Sequence, residues 1–262
     1  MTPHYFGSSE KQLLGVYHFP KGRARPHGVV LCPPAPQEYM RTHMAFRKLA
    51  AMLVREGFHV LRFDYYGTGD SAGGSREGSL GEWRQNVVAA ATDLEECSGA
   101  TKVSLVGLRL GATLAALAPV DAANLVLWEP VVDGRKYLDE LRAIHEREFS
   151  DLLFPPRLPA QTCGGELLGF PLPLDLEAEI RGINLLGQLT WRAEHIMLVA
   201  AERNLDHLNL LTHLRHAASS GGAAVEEHHV PDESQSNQQQ DAMLLSTQVL
   251  QVIAAALSRR AG

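Results

Sequence analysis

Residues 103–118, VSLVGLRLGATLAALA, decide the fold of this chain. Residues 103–106 are predicted to form a short buried strand. Residues 107–111, GLRLG, form a tight turn, and residues 112–118 form a helix rich in Ala and Leu that ends before Pro119. A strand followed at once by a sharp turn and a helix holds the middle side chain of the turn at the helix N-terminus.

The middle residue of this turn is Arg109. A G-x-X-x-G turn between a buried strand and a helix is the pattern of a nucleophile elbow, where X is the attacking residue, Ser, Cys or Asp. Arginine cannot attack, because its guanidinium stays protonated and has no lone pair to offer. The same five residues therefore predict a fold and exclude its usual nucleophile.

The composition restricts the class of protein. With 262 residues, 45% of them hydrophobic and 21% charged, the chain can form one domain with an insertion. A net charge of −6 argues against nucleic acid or an anionic membrane as the main partner. There is no apolar run long enough for a membrane span. Three cysteines without CxxC spacing predict reduced thiols and a cytoplasmic location, and neither a metal nor a cofactor is expected.

Strands and helices alternate along most of the chain. The predicted strands are residues 5–6, 13–19, 29–32, 58–63, 103–106, 125–128, 195–200 and 224–230, and the predicted helices include 44–56, 79–97, 112–118, 208–218 and 240–259. The first two strands pair in antiparallel fashion around the polar turn at 7–11. The remaining alternation indicates an α/β protein with a mostly parallel central sheet flanked by helices.

Residues 129–185 interrupt this alternation. They contain a charged helix at 135–149, a Pro-rich segment at 155–159 and two further Gly- and Pro-containing turns. We interpret them as a lid inserted after the sixth strand, since segments that cover α/β active sites occur in this place. The chain then divides into a first core part, 1–128, a lid or cap, 129–190, and a second core part, 191–262. A surface excursion without a role in binding is the alternative.

Four longer stretches carry a resemblance to a known family. They read LCPPAPQEYMRTH (31–43), LRFDYYGTGDSAG (61–73), GLRLGATLA (107–115) and WEPVVDGRKYLDELR (128–142). Their order resembles the α/β-hydrolase fold, in particular the serine aminopeptidase-like branch of esterases and lyso-lipid hydrolases. Together they are most similar to the bacterial exosortase A system-associated hydrolases. The resemblance implies an α/β-hydrolase fold with a lid, but no substrate, because those proteins are named by their fold.

The resemblance also locates the three positions of a catalytic triad. The nucleophile position is occupied by Arg109, the acid position after the seventh strand by Asn204, and the histidine position after the last strand by Gln235 or its neighbour Ser234. All three positions therefore lack the residue that a Ser-His-Asp hydrolase requires.

Three acids remain near these positions. Glu202 and Asp206 lie two residues on either side of Asn204, and Glu129 follows the sixth strand, from which some members of the fold draw their acid. A shifted register could therefore still provide a carboxylate, although no shift restores the nucleophile.

The groups that bind the substrate oxygen in this fold can persist without a nucleophile. They are the amide of Leu110 and an amide from residues 35–38, of which Ala35 and Pro36 are the candidate binding residues. Arg109 at a helix N-terminus attracts a carboxylate or phosphate, and His43 can add a donor. The alternative is a buried ion pair of Arg109 with Glu38 or Glu129; the two roles can coexist.

Two functions follow from the sequence. The first is an enzyme that acts on an acyl ester, thioester or related carbonyl substrate through a non-serine site. Arg109 and the oxyanion amides would bind the substrate, while His43, Glu38, Glu129 or Asp206 would move protons or orient water. The second is a catalytically inactive pseudo-hydrolase, a binding or scaffold protein in a biosynthetic or envelope-polymer pathway. Either would take a small-molecule acyl or carboxylate ligand, and a homodimer is left open.

Overall fold

The structure, a computed structural model, describes residues 1–149, 165–188, 192–202, 204–230 and 247–260. The described strands are β1 (Thr2–Phe6), β2 (Leu13–His18), β3 (His27–Cys32), β4 (His59–Phe63), β5 (Lys102–Leu108), β6 (Asp121–Trp128), β7 (Gly165–Leu167), β8 (Phe170–Leu172), β9 (Arg192–Ala200) and β10 (Ala224–His229). The described helices are α1 (Pro36–Arg55), α2 (Leu80–Ser98), α3 (Leu110–Leu117), α4 (Gly134–Phe149), α5 (Leu174–Arg181), α6 (Leu185–Gln188), α7 (Leu205–Gly221) and α8 (Thr247–Arg260).

Eight strands form one sheet in the order β1-β2-β4-β3-β5-β6-β9-β10. β2 is antiparallel to both β1 and β4. The other neighbouring pairs of this sheet, from β4–β3 to β9–β10, are parallel. The central strands are buried on both faces, and all six residues of β3 are buried. The predicted antiparallel start and the predicted parallel sheet are both confirmed.

Helices cover the two faces of the sheet, and the sheet separates two hydrophobic cores. α1 and α8 pack on one face, where Phe46, Leu53 and Ile253 contribute to the first core. α2 to α7 contribute to the second core, together with Trp83 and Leu114 from α2 and α3. The predicted flanking helices are therefore confirmed. Among the described residues, no helix is both long and apolar enough to cross a membrane.

The beginning of α1 differs from the prediction. The helix was expected from residue 44, with a loop carrying Glu38 and His43, but it begins at Pro36. Proline is favoured in the first helical turn because that turn has no intrahelical use for its missing N–H. Glu38 and His43 therefore lie on a rigid helix rather than on a loop, five residues and about 140° apart around it.

The segment between β6 and β9 contains more structure than the sequence indicated. The predicted helix at 135–149 is confirmed as α4, and it is followed by the β7–β8 hairpin, α5 and α6. The hairpin was not predicted, because its strands have only three residues each. The Pro-rich residues 155–159 and the expected start of the last helix at 240 lie outside the described residues.

Candidate functional site

The turn between β5 and α3 holds Arg109 in a backbone conformation that non-glycine residues rarely adopt, with φ 52° and ψ −119°. The turn is tight because both flanking glycines are in close contact with backbone. A Cβ on Gly111 would lie 2.2 Å from the carbonyl oxygen of Pro33, and one on Gly107 would lie 2.4 Å from Cα of Ala112. The predicted elbow geometry is therefore present, with arginine at its apex.

The Arg109 side chain is held by two carboxylates. Its Nε donates to Oε1 of Glu38 on α1 at 3.0 Å, and its Nη2 donates to Oε2 of Glu140 on α4 at 2.6 Å. The Tyr137 hydroxyl donates to the other oxygen of Glu38 at 2.6 Å, and its ring centroid lies 5.3 Å from the guanidinium carbon. We call Glu38, Arg109, Tyr137 and Glu140 the Arg109 cluster.

The Arg109 cluster is largely shielded from solvent. The side chains of Arg109 and Glu38 are 16% and 11% exposed, whereas Glu140 is 38% exposed. Burial alone would lower the pKa of Arg109, but Glu38 and Glu140 outweigh it and raise that pKa. Burial, and then the charge of Glu38, raises the pKa of Tyr137 well above its usual value. At neutral pH the guanidinium is thus a permanent cation neutralised by the protein itself.

The Arg109 cluster bears on both interpretations of Arg109. The ion pair with Glu38 is the one that the structural alternative named, but the second partner is Glu140 and not Glu129. Glu140 and Tyr137 were missed as site residues. They lie three positions apart on α4, so they share one helix face, but the sequence does not say that this face meets the elbow.

Glu129 follows β6 directly and also has a positive φ, 47°. Its Oε1 accepts a hydrogen bond from the Ala201 amide at 2.6 Å, and its Oε2 lies 3.8 Å from Nδ1 of His207. Glu129 is 7% exposed and His207 is 5% exposed. Burial raises the pKa of Glu129, against the opposing effect of the Ala201 hydrogen bond. His207, which sequence reasoning missed, thus lies buried beside Glu129, but at 3.8 Å its Nδ1 makes no hydrogen bond to the carboxylate. We call the two residues the Glu129–His207 pair.

Asn204 and Asp206, near the expected acid position, have structural partners. Asn204, at the expected acid position, caps α7 by accepting a hydrogen bond from the His207 amide at 2.8 Å. Asp206 accepts from Nζ of Lys136 on α4 at 2.7 Å, at the surface. Gln235 and Ser234, at the expected histidine position, lie outside the described residues.

The predicted oxyanion donors fall into two groups. Leu110 opens α3, where the first amides of a helix have no intrahelical acceptor. Ala35 is the N-cap residue of α1, and Pro36, next to it, has no amide hydrogen, so it can contact a ligand only through its ring. His43 is not part of this group, because it lines a separate groove on the β2–β4 side of α1.

A cleft of about 190 Å³ opens beside the Arg109 cluster. Its walls come from the start of α1, the loop after β4, α2 and the β7–β8 hairpin with α5. Most of its lining is apolar, with Trp83, Phe170, Leu172, Leu176 and Ile180 opposite Ala35 and Pro36. The polar side chains are few: Gln37, Thr68 and Ser75. Such a cleft suits a neutral, largely apolar ligand with a few polar atoms.

The strand order, the antiparallel second strand, the strained turn after β5 and the insertion after β6 together define the α/β-hydrolase fold. No protein-family model matches the chain, and no curated protein matches it either.

Solved structures match over nearly the whole chain. The ferulic acid complex of Est1E from Butyrivibrio proteoclasticus is 16% identical with a TM-score of 0.63, covering 98% of this chain and 96% of that one. A proline iminopeptidase from Mycobacterium smegmatis is 13% identical with a TM-score of 0.65, covering 99% of each chain. A Pyrococcus furiosus esterase is 15% identical with a TM-score of 0.60, covering 100% of this chain and 91% of that one. At these identities the similarity establishes the fold.

Proposed function

We propose that this protein is a pseudo-hydrolase that binds a small neutral acyl compound in the cleft without cleaving it. The observation that carries the proposal is the double ion pair of Arg109 with Glu38 and Glu140. It fills the nucleophile position with a group that cannot attack, and it gives that group two internal partners.

The cleft supports the binding half of the proposal. An acyl chain can lie against Trp83, Leu176 and Ile180, while Gln37, Thr68 or Ser75 provides hydrogen bonds for a carbonyl or ester oxygen. A carboxylate ligand is less well matched, because it would have to displace Glu140 from Arg109 before it gained a charge-assisted contact. We therefore expect the ester to bind more tightly than the free acid.

The test is a titration with methyl hexanoate, followed by tryptophan fluorescence. Trp83 lines the cleft, so ligand entry should change its emission, and Trp83→Phe should remove most of that change. We expect saturable binding, at least tenfold weaker binding of hexanoate, and no methanol release. Release of methanol with enzyme-like saturation, or no binding at all, would contradict the proposal.

Two exposed positions provide a matched pair of variants. Ser75 lines the cleft, so Ser75→Trp should weaken methyl hexanoate binding at least tenfold by filling the space at the mouth. Leu174 is 67% exposed, precedes Leu176 on the same helix and does not line the cleft. Leu174→Trp should therefore leave the affinity unchanged.

The second candidate is an acyl-handling enzyme with a non-serine site at the elbow, and the Glu129–His207 pair favours it. A buried carboxyl group with a raised pKa next to an imidazole is the kind of arrangement that transfers protons in active sites. If methanol is released, Glu129→Gln and His207→Gln should each reduce the rate at least a hundredfold. Unchanged rates in both variants would exclude this pair as the catalytic group.

A further inference from the structure

A second cavity lies on the opposite side of α1 from the Arg109 cluster. It has a volume of about 420 Å³ and lies between the first turns of α1, strands β2 and β4, and the loop after β4. We call it the Arg62 groove. Leu14, Val16 and Phe63 give it apolar walls, and its charged side chains are Arg62, Asp64 and Asp70.

Arg62 is half-buried, and no carboxylate of the described residues forms an ion pair with it. Its Nε donates to Nε2 of His18 at 3.0 Å, and the phenol of Tyr39 lies beside it. His18 is neutral at pH 7, since burial and then the charge of Arg62 lower its pKa to about 4. Within the described part of the chain, no carboxylate lies within 4.0 Å of the Arg62 guanidinium nitrogens. The nearest described neighbours of the guanidinium, His18 and Tyr39, are thus neutral, and the charge of Asp64 acts on it only from beyond 4.0 Å.

Asp64 and Asp70 give the groove its negative charge. The Asp70 amide donates to Oδ2 of Asp64 at 3.2 Å, and the described residues place no Lys, Arg or His nitrogen within 4.0 Å of either carboxylate. Asp64 is half-buried, and burial raises the pKa of its carboxyl group. Its position is fixed, because the Ser71 hydroxyl donates to the Asp64 carbonyl at 2.6 Å and accepts from the Leu14 amide at 2.9 Å.

Because these charges of opposite sign share one cavity and form no ion pair among the described residues, we propose that the Arg62 groove binds a small zwitterion, an α-amino acid with an apolar side chain. The carboxylate would contact Arg62 and Tyr39, the ammonium group would contact Asp64 and Asp70, and the side chain would lie against Leu14, Val16 and Phe63. Half-buried charges without partners lose solvation that a ligand of opposite charge restores. This inference goes beyond the proposed function and does not rest on it, because the groove and the cleft have no lining residue in common.

The test is isothermal titration of the full chain at pH 7.5 with L-leucine, L-phenylalanine and glycine. We expect leucine or phenylalanine to bind at least tenfold more tightly than glycine. Leucinamide and 4-methylpentanoate, which each lack one of the two charges, should bind at least tenfold more weakly than leucine. No binding of any of the three amino acids up to about 10 mM, an affinity of about −2.7 kcal/mol, would overturn the proposal. Equal binding of leucine and leucinamide would also overturn it.

Variants separate this groove from the cleft. Arg62→Gln should weaken leucine binding at least tenfold, and Asp70→Asn, at an exposed position with little risk to folding, should weaken it at least threefold. Ser75→Trp, which fills the mouth of the other cleft, should leave leucine binding unchanged. Leucine affinity that falls with Ser75→Trp and survives Asp70→Asn would place the ligand in the other cleft and overturn the proposal.

Discussion

The elbow after β5 and the cleft under the β7–β8 hairpin lie at the same edge of the sheet but differ in what fills them. The elbow is occupied by the protein's own charges, since Arg109 is paired with Glu38 and Glu140. The cleft has mostly apolar walls and remains open. The contrast indicates that the cleft has kept room for a ligand, whereas the elbow has no nucleophile.

Two residues at or next to the elbow have strained backbone conformations. Arg109 and Glu129, at the ends of the neighbouring strands β5 and β6, both have positive φ, which costs a non-glycine residue about 1–3 kcal/mol. At an elbow with a nucleophile this conformation presents the attacking atom. Here it directs a guanidinium towards α1 and α4, so the conformation supports a tether between the elbow and the inserted segment.

The largest effect is expected for Arg109→Ala. Removal of the guanidinium leaves Glu38 buried and without its cation, which should cost about 3–5 kcal/mol of unfolding free energy. Arg192→Ala is the matched control, because Arg192 and Asp121 are 61% and 84% exposed and 3.8 Å apart. Arg192→Ala should lower the unfolding free energy by less than about 1 kcal/mol. Urea unfolding measures both, and equal losses would contradict a structural role for the Arg109 cluster.

A smaller loss is expected for Tyr137→Phe. The substitution removes the hydroxyl that donates to Glu38 but keeps the ring over Arg109. A hydrogen bond to a charged group contributes about 1.5–3 kcal/mol, so the unfolding free energy should fall within that range. In an Arg109→Ala background the same substitution should have a different effect, because the two residues share Glu38. Strict additivity in the double-mutant cycle would argue against a coupled cluster.

The smallest effect on stability is the pH dependence contributed by Glu129. Burial raises its folded-state pKa above the ordinary 4.5, so its contribution is fully present below pH 4.5 and is lost as the pH rises through the folded-state pKa. Glu129→Gln lacks this titration and can still accept from the Ala201 amide. The variant should therefore gain stability relative to the natural protein as the pH rises from 4.5. Urea midpoints at a series of pH values measure the difference, and a constant difference would exclude the raised pKa.

Much of the scaffold was predictable from local pattern. The strand before Arg109, the helix predicted at 79–97 (α2) and the charged helix α4 follow from the hydrophobic periodicity of the sequence. The early start of α1 was missed, although a proline such as Pro36 is favoured at the first position of a helix.

The partners of Arg109 could be predicted only in part. Glu38 follows β3, the strand that pairs with β5 before the elbow, and it could therefore be named from the predicted strand order. Glu140 and Tyr137 reach the elbow because α4 packs across it, and that packing depends on contacts between segments distant in the chain. The pairing of His207 with Glu129 likewise joins the start of α7 to the end of β6. Periodicity within one segment carries no information about such contacts.

The central claim is that the elbow carries no working nucleophile. Its most direct test is exposure of the natural protein to a fluorophosphonate probe, followed by intact-mass spectrometry. An activated serine forms a covalent adduct with this reagent, whereas an arginine at the same position does not. With arginine at the apex of the elbow, we expect no mass increase after prolonged exposure, in the same preparation that binds methyl hexanoate. A stoichiometric adduct mapped to one serine would contradict it and would show that the protein is a serine hydrolase with its nucleophile away from residue 109.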